Sequence, residues 1–319
     1  MKVSVLVPVY GVEGYIAKCV MTLMEQTYED VEYIFVNDCT PDASIERLRE
    51  VVARYPERKS QVRIIDHEQN LGSGAVRQTA LDAATGDAVI FVDSDDYVDP
   101  LMIERLVEEM HHSGATIVDG GFATVTNGDI ANMQMPLQVS DKGYLKIILC
   151  QNVDSNRIWG RLIKKSLFTD NDIRFVQGID YGEDFSVLPR LLINAQRSVV
   201  DQCLYFYLND NPQSYTNNIT TRNAISFFKA QELIGTFMAS HEHWKEYSFA
   251  MQIGWVNVWR FARRFKVPKK LVEEYFTQRS THVVTHCLER MFRCDKMPNK
   301  AINFIYLVTR RFYLTFAGR

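Results

Sequence analysis

The sequence contains no apolar run approaching the roughly 20 residues needed to cross a bilayer, so no segment reads as a membrane span. Cysteine is sparse and unpatterned. Its six copies (Cys19, Cys39, Cys150, Cys203, Cys287 and Cys294) form no C-x-x-C pair and no even framework. This argues against a disulfide scaffold and suits reduced thiols in the cytoplasm. The seven histidines are scattered, and neither His111-His112 nor His241 with His243 makes a zinc pattern. A Walker lysine and a G-x-G-x-x-G spacing are also missing, so neither of those phosphate loops is present. No repeat or low-complexity tract appears, and no signal peptide is expected ahead of Val3, because Met1-Lys2 leads straight into a strand-like run. What remains is a chain of 319 residues, 46% hydrophobic and 24% charged. It can bury a proper core and hold one large domain plus an appendage, soluble or resting on a surface.

The net charge of −3 hides an asymmetry. Residues 216–319 carry 17 Lys and Arg against 7 Asp and Glu, a net of +10, which leaves −13 for residues 1–215. A basic segment of this kind suggests an anionic partner, either a membrane surface or a nucleic acid.

Val3-Ser-Val-Leu-Val-Pro-Val9 reads as a near-continuous apolar strand, with Pro8 close to its end. Beyond Gly14, Ile16, Cys19, Val20 and Leu23 fall on one helical face. Val31–Val36 is a second strand, ended by the turn signal Asn37-Asp-Cys-Thr-Pro-Asp42. A helix from Ser44, a strand at Val62–Ile65, a helix through Ala84 and a strand at Ala88–Val92 follow. This alternation predicts an α/β fold, with a mostly parallel sheet flanked by helices. After a helix over 101–110 and a strand at 116–118, Asn127-Gly128 marks a hairpin. Residues 130–215 read as an α+β elaboration over the sheet. From about Asn217 the pattern is helical: 224–238, 248–264, 267–292 and 299–316, punctuated by Pro268 and Pro298.

The most informative stretch is Ala88-Val-Ile-Phe-Val92 followed at once by Asp93-Ser94-Asp95-Asp96. A buried strand here delivers three carboxylates together at its carboxyl end. Like charges this close raise one another's proton affinity unless a cation or a set of donors compensates. Ligands of open α/β sheets sit beyond the strand ends, and hard oxygen ligands suit Mg²⁺ or Mn²⁺ carrying a phosphate. The alternative is an acidic turn capping the next helix, but Asp99-Pro100 already makes that cap.

Other signals are individually weaker. Asp38 is again an acid at a strand end, able to accept from a uracil or ribose edge or simply to close an Asx turn. Tyr10 could stack on a base or pack in the core. Asn70-Leu-Gly-Ser-Gly-Ala-Val-Arg77 offers glycines and a helix N-terminus to an anion, with Arg77 able to reach a diphosphate or pair with a nearby acid. Tyr181-Gly182-Glu183-Asp184 puts two acids at a helix start, either as caps or with one as a general base. Trp159 lies among basic residues and reads as a sugar platform or as core. Trp255, Trp259, Phe261 and Phe265 interleave with Arg260, Arg263, Arg264, Lys266, Lys269 and Lys270. That composition fits an interfacial helix on anionic lipid as well as an ordinary amphipathic helix.

Taken together, these pieces resemble the glycosyltransferase family 2 enzymes. The matching text is Val3–Tyr10, Val36-Asn-Asp38, Asn70-Leu-Gly72 with Arg77, Gly86-Asp87, Phe91-Val-Asp-Ser-Asp-Asp96, Trp159 with Lys164–Phe168, and Gly182-Glu-Asp184. Gly11 stands where the family usually has asparagine, and Asp38-Cys39-Thr40 where Asp-Gly-Ser is usual. The resemblance implies a GT-A Rossmann-like catalytic domain over residues 1–215, and the basic helical C-terminal region over 216–319 lies outside the match. It implies an inverting transfer from a UDP-sugar to a glycan or polyprenyl-linked acceptor, with Mn²⁺ or Mg²⁺ as cofactor and no nucleic acid partner. Pro8, Tyr10 and Asp38 would line the uridine pocket, and Arg77 would lie near the diphosphate. Asp93 would touch the ribose or the metal shell, and Asp95 would ligate the metal. Asp184 would be the general base, with Trp159, Glu183 and Asp96 as sugar or acceptor contacts. The basic region would dock on the cytoplasmic membrane face. Two rival readings are a nucleotidyltransferase, although Tyr10-Gly-Val-Glu-Gly14 lacks that class's basic loop residue, and a non-catalytic nucleotide-binding or membrane-docking module.

Overall fold

The computed structural model describes residues 1–150, 156–212 and 219–265, together with 267, 268, 270 and 307. Strand–helix alternation runs through its first third. β1 (Val3–Val9) leads to α1 (Ile16–Met24), β2 (Val31–Asn37) to α2 (Ser44–Val52), and β3 (Val62–Asp66) to α3 (Ser73–Ala83). Then come β4 (Ala88–Phe91), a two-residue β5 (Tyr97–Val98) and α4 (Met102–Ser113). The inward faces are those the 3.6-residue period marks: Ile16, Cys19, Val20 and Leu23 on α1, and Ile45, Leu48, Val51 and Val52 on α2. The remaining elements are β6 (Ile117–Thr126), β7 (Asp129–Gln134), α5 (Asp141–Leu149), β8 (Arg161–Lys164), α6 (Ser166–Thr169), α7 (Glu183–Leu192), β9 (Arg197–Leu208), α8 (Thr221–Ser240) and α9 (Trp244–Arg264).

One sheet of nine strands, ordered β3-β2-β1-β4-β8-β6-β9-β5 with β7 beside β6, carries the first unit. β1 to β4 run parallel, with β2 and β4 on the two edges of β1, and helices packed on the sheet bury its side chains. β8 joins antiparallel to β4, and β9 pairs parallel with β6. The strand expected at 116–118 continues to Thr126, where Asn127 and Gly128, at φ of 54° and 84°, turn the chain into β7. Two adjacent left-handed residues are what a tight hairpin of this twist requires.

The chain forms two compact units, and they interleave in sequence. The sheet unit comprises Met1–Gln138, Ile158–Gly178 and Asn194–Asn217; the helical unit comprises Val139–Arg157, Ile179–Ile193 and the chain from Asn218 onward. The sequence reading draws one boundary after residue 215. By contact, however, α5 and α7 group with α8 and α9, since their apolar faces pack on those helices. Within the helical unit, Trp255 and Trp259 are 3% and 7% exposed and pack with Phe227, Phe228, Val258 and Ala262. Of the two readings of these indoles, an interfacial helix or an ordinary amphipathic one, the burial favours the second, because α8 supplies an aromatic face for them. Gly254 brings α9 against α5, since a Cβ there would collide with the Leu149 carbonyl. Among the described residues no helix is long and apolar enough to cross a membrane. The helices expected over 267–292 and 299–316 lie outside the described residues.

Candidate active site

The carboxyl ends of β1, β2 and β4 lie side by side in the sheet unit, so the loops that follow them share one edge. After β4, the three acids turn to three different partners. Arg77, on α3 and 4% exposed, donates from Nη2 to Asp93 Oδ1 at 2.7 Å, with its guanidinium 5.8 Å from the Phe91 ring centroid. Asn211 Nδ2 donates to Asp95 Oδ2 at 2.9 Å. Asp96 is buried, with its oxygens accepting from the Tyr205 hydroxyl and the Leu208 amide, both at 2.7 Å. Among the described residues no group of three His, Cys, Asp or Glu side chains converges on one point.

The electrostatic cost expected from sequence is nevertheless present. Burial, and then the charge of Asp93, push the Asp95 carboxyl above its usual range. Burial, followed by Asp95 and Asp93, pushes Asp96 further up. A divalent cation at Asp95 would relieve that repulsion, and all-oxygen donors suit Mn²⁺ or Mg²⁺. The carboxylate donors of this turn would suit such an ion, and Arg77 holds Asp93 beside Asp95.

Asp38 follows β2 and is almost fully buried. Its Oδ1 accepts the Leu71 amide at 2.8 Å, and its Oδ2 accepts the Gly72 amide at 2.9 Å. His67 Nδ1 lies 2.8 Å from Oδ1, and His67 Nε2 lies 2.9 Å from Thr79 Oγ1. Asp38 thus holds the Asn70-Leu71-Gly72 loop in place, with Gly72 at φ 88° opening α3. Sequence reading passed over His67, although the pairing of Asn37 with Asp66 makes it and Asp38 the next rung of β2 and β3. At the end of β1, Tyr10 stands 47% exposed, and the Gly11 amide donates to Thr40 Oγ1 at 2.9 Å, joining the β1 and β2 loops. Pro8 pairs with Val36 one rung inside.

Trp159 bridges to Phe91 and stacks on Tyr205 and Tyr207 at 4.3 and 5.7 Å between centroids, with Phe122 edge-on at 5.1 Å. It belongs to an aromatic row beneath the acidic turn. Glu183 and Asp184 lie in the helical unit, in the first turn of α7. The preceding loop is pinned to α8, because the Asp180 and Tyr181 amides both donate to Ser226 Oγ, at 2.8 and 3.0 Å. Gly182 then takes φ 88°, and a Cβ there would approach Phe227 Cδ2 to 2.9 Å. The positive end of α7 favours ionised acids at these positions. Tyr205 and Asn211 escaped sequence reading, because nothing local to them announces the acids they touch.

Residues 4–170 match the model of Glycosyl transferase family 2, more than half of the chain. The glycosyltransferase EpsJ of Bacillus subtilis is 32% identical over 222 residues, 67% of this chain and 62% of EpsJ. The poly(ribitol-phosphate) beta-N-acetylglucosaminyltransferase TarS of Staphylococcus aureus is 28% identical over 214 residues, 65% of this chain and 35% of TarS. The chain thus spans less than two thirds of the length of either relative. The crystal structure of S. aureus TarS 1–349 in complex with UDP-GlcNAc has the same fold, with a TM-score of 0.68 at 20% identity, covering 98% of this chain and 91% of that one. The matched segment takes in every strand end from β1 to the acidic turn after β4, and on that ground the chain belongs to glycosyl transferase family 2.

Proposed function

We propose that this protein is an inverting glycosyltransferase that moves a hexosyl or N-acetylhexosaminyl group from a UDP-sugar to a glycan or polyprenyl-linked acceptor in cell-surface polysaccharide synthesis. The observation that carries the reading is the shared edge of the sheet unit, where Tyr10, the Asp38-anchored loop, the Arg77–Asp93 pair and Asp95 gather. The UDP-GlcNAc complex of TarS supports the donor class. In this scheme Tyr10 and Pro8 receive the uracil, Asp38 shapes the wall of its pocket through the Leu71 and Gly72 amides, and Arg77 keeps Asp93 oriented toward the ribose. Asp95 would hold a Mn²⁺ or Mg²⁺ ion, which would supply Lewis-acid stabilisation for the departing diphosphate. Asp184, in the first turn of α7, takes the proton of the acceptor hydroxyl as that oxygen bonds to C1 and the C1–O bond to UDP breaks. Single displacement inverts the anomeric centre, and no covalent intermediate forms on the chain. The basic region from residue 216 onward places the enzyme on the cytoplasmic face of the membrane.

Asp184→Asn tests the reading. A general base is worth about 10²- to 10⁴-fold in rate, so turnover should fall at least 100-fold while UDP affinity stays within about twofold of wild type. Full turnover by Asp184→Asn, or release of pyrophosphate in place of UDP, would defeat the assignment. A thermal-shift panel of UDP-, GDP-, CDP- and dTDP-sugars with Mn²⁺ identifies the donor.

A further inference from the structure

We propose that Tyr205 is a positioning residue for the donor site, one hydroxyl fixing both flanks of the turn that carries Asp95; this rests on the glycosyltransferase reading above. Tyr205 lies on β9 and is 1% exposed. Its hydroxyl accepts the Asp93 amide at 3.0 Å and donates to Asp96 Oδ2 at 2.7 Å. The other Asp96 oxygen accepts the Leu208 amide, and the Asp96 amide closes the turn onto the Asp93 carbonyl at 3.0 Å. Asp95 is therefore, with Ser94, one of the two middle residues of a turn whose two ends are tied to one strand. Trp159, stacked on the phenol ring at 4.3 Å and 20°, holds the ring in that orientation.

A buried phenol needs only one partner, and this one makes two, on either side of the same acid. Removing the hydroxyl leaves the Asp93 amide without its acceptor and Asp96 Oδ2 without its donor, in a place closed to water, so the turn must relax. The effect falls on Asp95, because groups that orient a metal ligand from behind set the affinity of the site. β9 lies beyond residues 4–170, so the family match assigns Tyr205 nothing.

The test compares the full chain as wild type, Tyr205→Phe and Tyr33→Phe, with UDP and Mn²⁺ as probes. Tyr33 is the control because it too is fully buried and donates a single hydroxyl bond, to the Leu23 carbonyl at 2.6 Å. Both variants should melt at lower temperature. Only Tyr205→Phe should raise the Kd for UDP measured in Mn²⁺, by about 10-fold or more, while its Kd for UDP in EDTA stays within about twofold. Should Tyr205→Phe not fold, Asp96→Ala removes the acceptor at the other side of the same tie and should give the same Mn²⁺-specific weakening. A folded Tyr205→Phe that binds UDP in Mn²⁺ as tightly as wild type overturns the inference. A wild type that binds no UDP with Mn²⁺ removes the UDP-donor reading on which the inference rests, and the inference with it.

Discussion

Glu32 shows how one buried acid in this fold is kept ionised without any ligand. It is 6% exposed on β2, where Oε1 accepts from the Ser4 hydroxyl at 2.6 Å and from the Thr85 amide at 2.6 Å. Oε2 lies 3.3 Å from Lys2 Nζ. Burial alone would raise its pKa, but these donors outweigh it and hold the carboxyl at about 2, against 4.5 for the free side chain. A folded-state value below the unfolded one means that the stability is fully present above about pH 4.5 and drains away as pH falls toward 2. Glu32→Gln should therefore have a lower urea midpoint than wild type at neutral pH, and the gap should narrow between about pH 5 and pH 3. A gap that stays constant over that range would disprove the role. The same comparison explains what could be read in advance at the acidic turn. Asp93, Asp95 and Asp96 stand out because they follow a fully apolar strand. Their partners on and after β9 lie 109 to 116 residues away and carry no local mark.

Among elements, the clearest tie is Asp119 on β6, between β8 and β9. Arg161 Nη1 reaches its Oδ1 at 2.5 Å and Arg197 Nε reaches its Oδ2 at 2.6 Å, with all three side chains at most 2% exposed. One carboxylate thus clips three strands, and its loss would leave two guanidinium charges buried beside each other. Breaking a buried pair from one side costs about 3–5 kcal/mol, so Asp119→Ala should lower the unfolding free energy by that order in urea titrations. A loss under about 1 kcal/mol would mean that the arginines find other partners, and the clip would be dispensable. This part of the sheet is also where sequence reading stops short. The first four strands announce themselves as short apolar runs, each followed by a 3.6-period face. β9, with Arg197, Asp201 and Gln202 inside it, does not look like a central strand until Asp119 is seen to neutralise its first residue. α5 and α7 show their apolar faces plainly, yet nothing local says that they pack on α8 and α9 rather than over the sheet.

At the scale of the whole molecule, the charge division and the burial of the two tryptophans together decide how any membrane docking must work. Residues 216–319 carry a net +10, which would draw the chain to anionic headgroups at about 1 kcal/mol for each basic side chain near the surface. Insertion would add a salt-insensitive part, but Trp255 and Trp259, the residues best suited to it, are committed to the helical core. Docking through the described helices should then be almost purely electrostatic, and it should fade once the screening length shrinks from about 8 Å at physiological salt toward 3 Å at 1 M. In liposome flotation the protein should rise with vesicles containing anionic lipid at low salt, remain behind with neutral vesicles, and be released from the anionic ones by about 0.5–1 M salt. Equal recovery in the soluble fraction with and without anionic lipid would remove the membrane as a partner. Flotation that survives high salt would instead demand an inserted apolar surface, and the two buried indoles could not provide it.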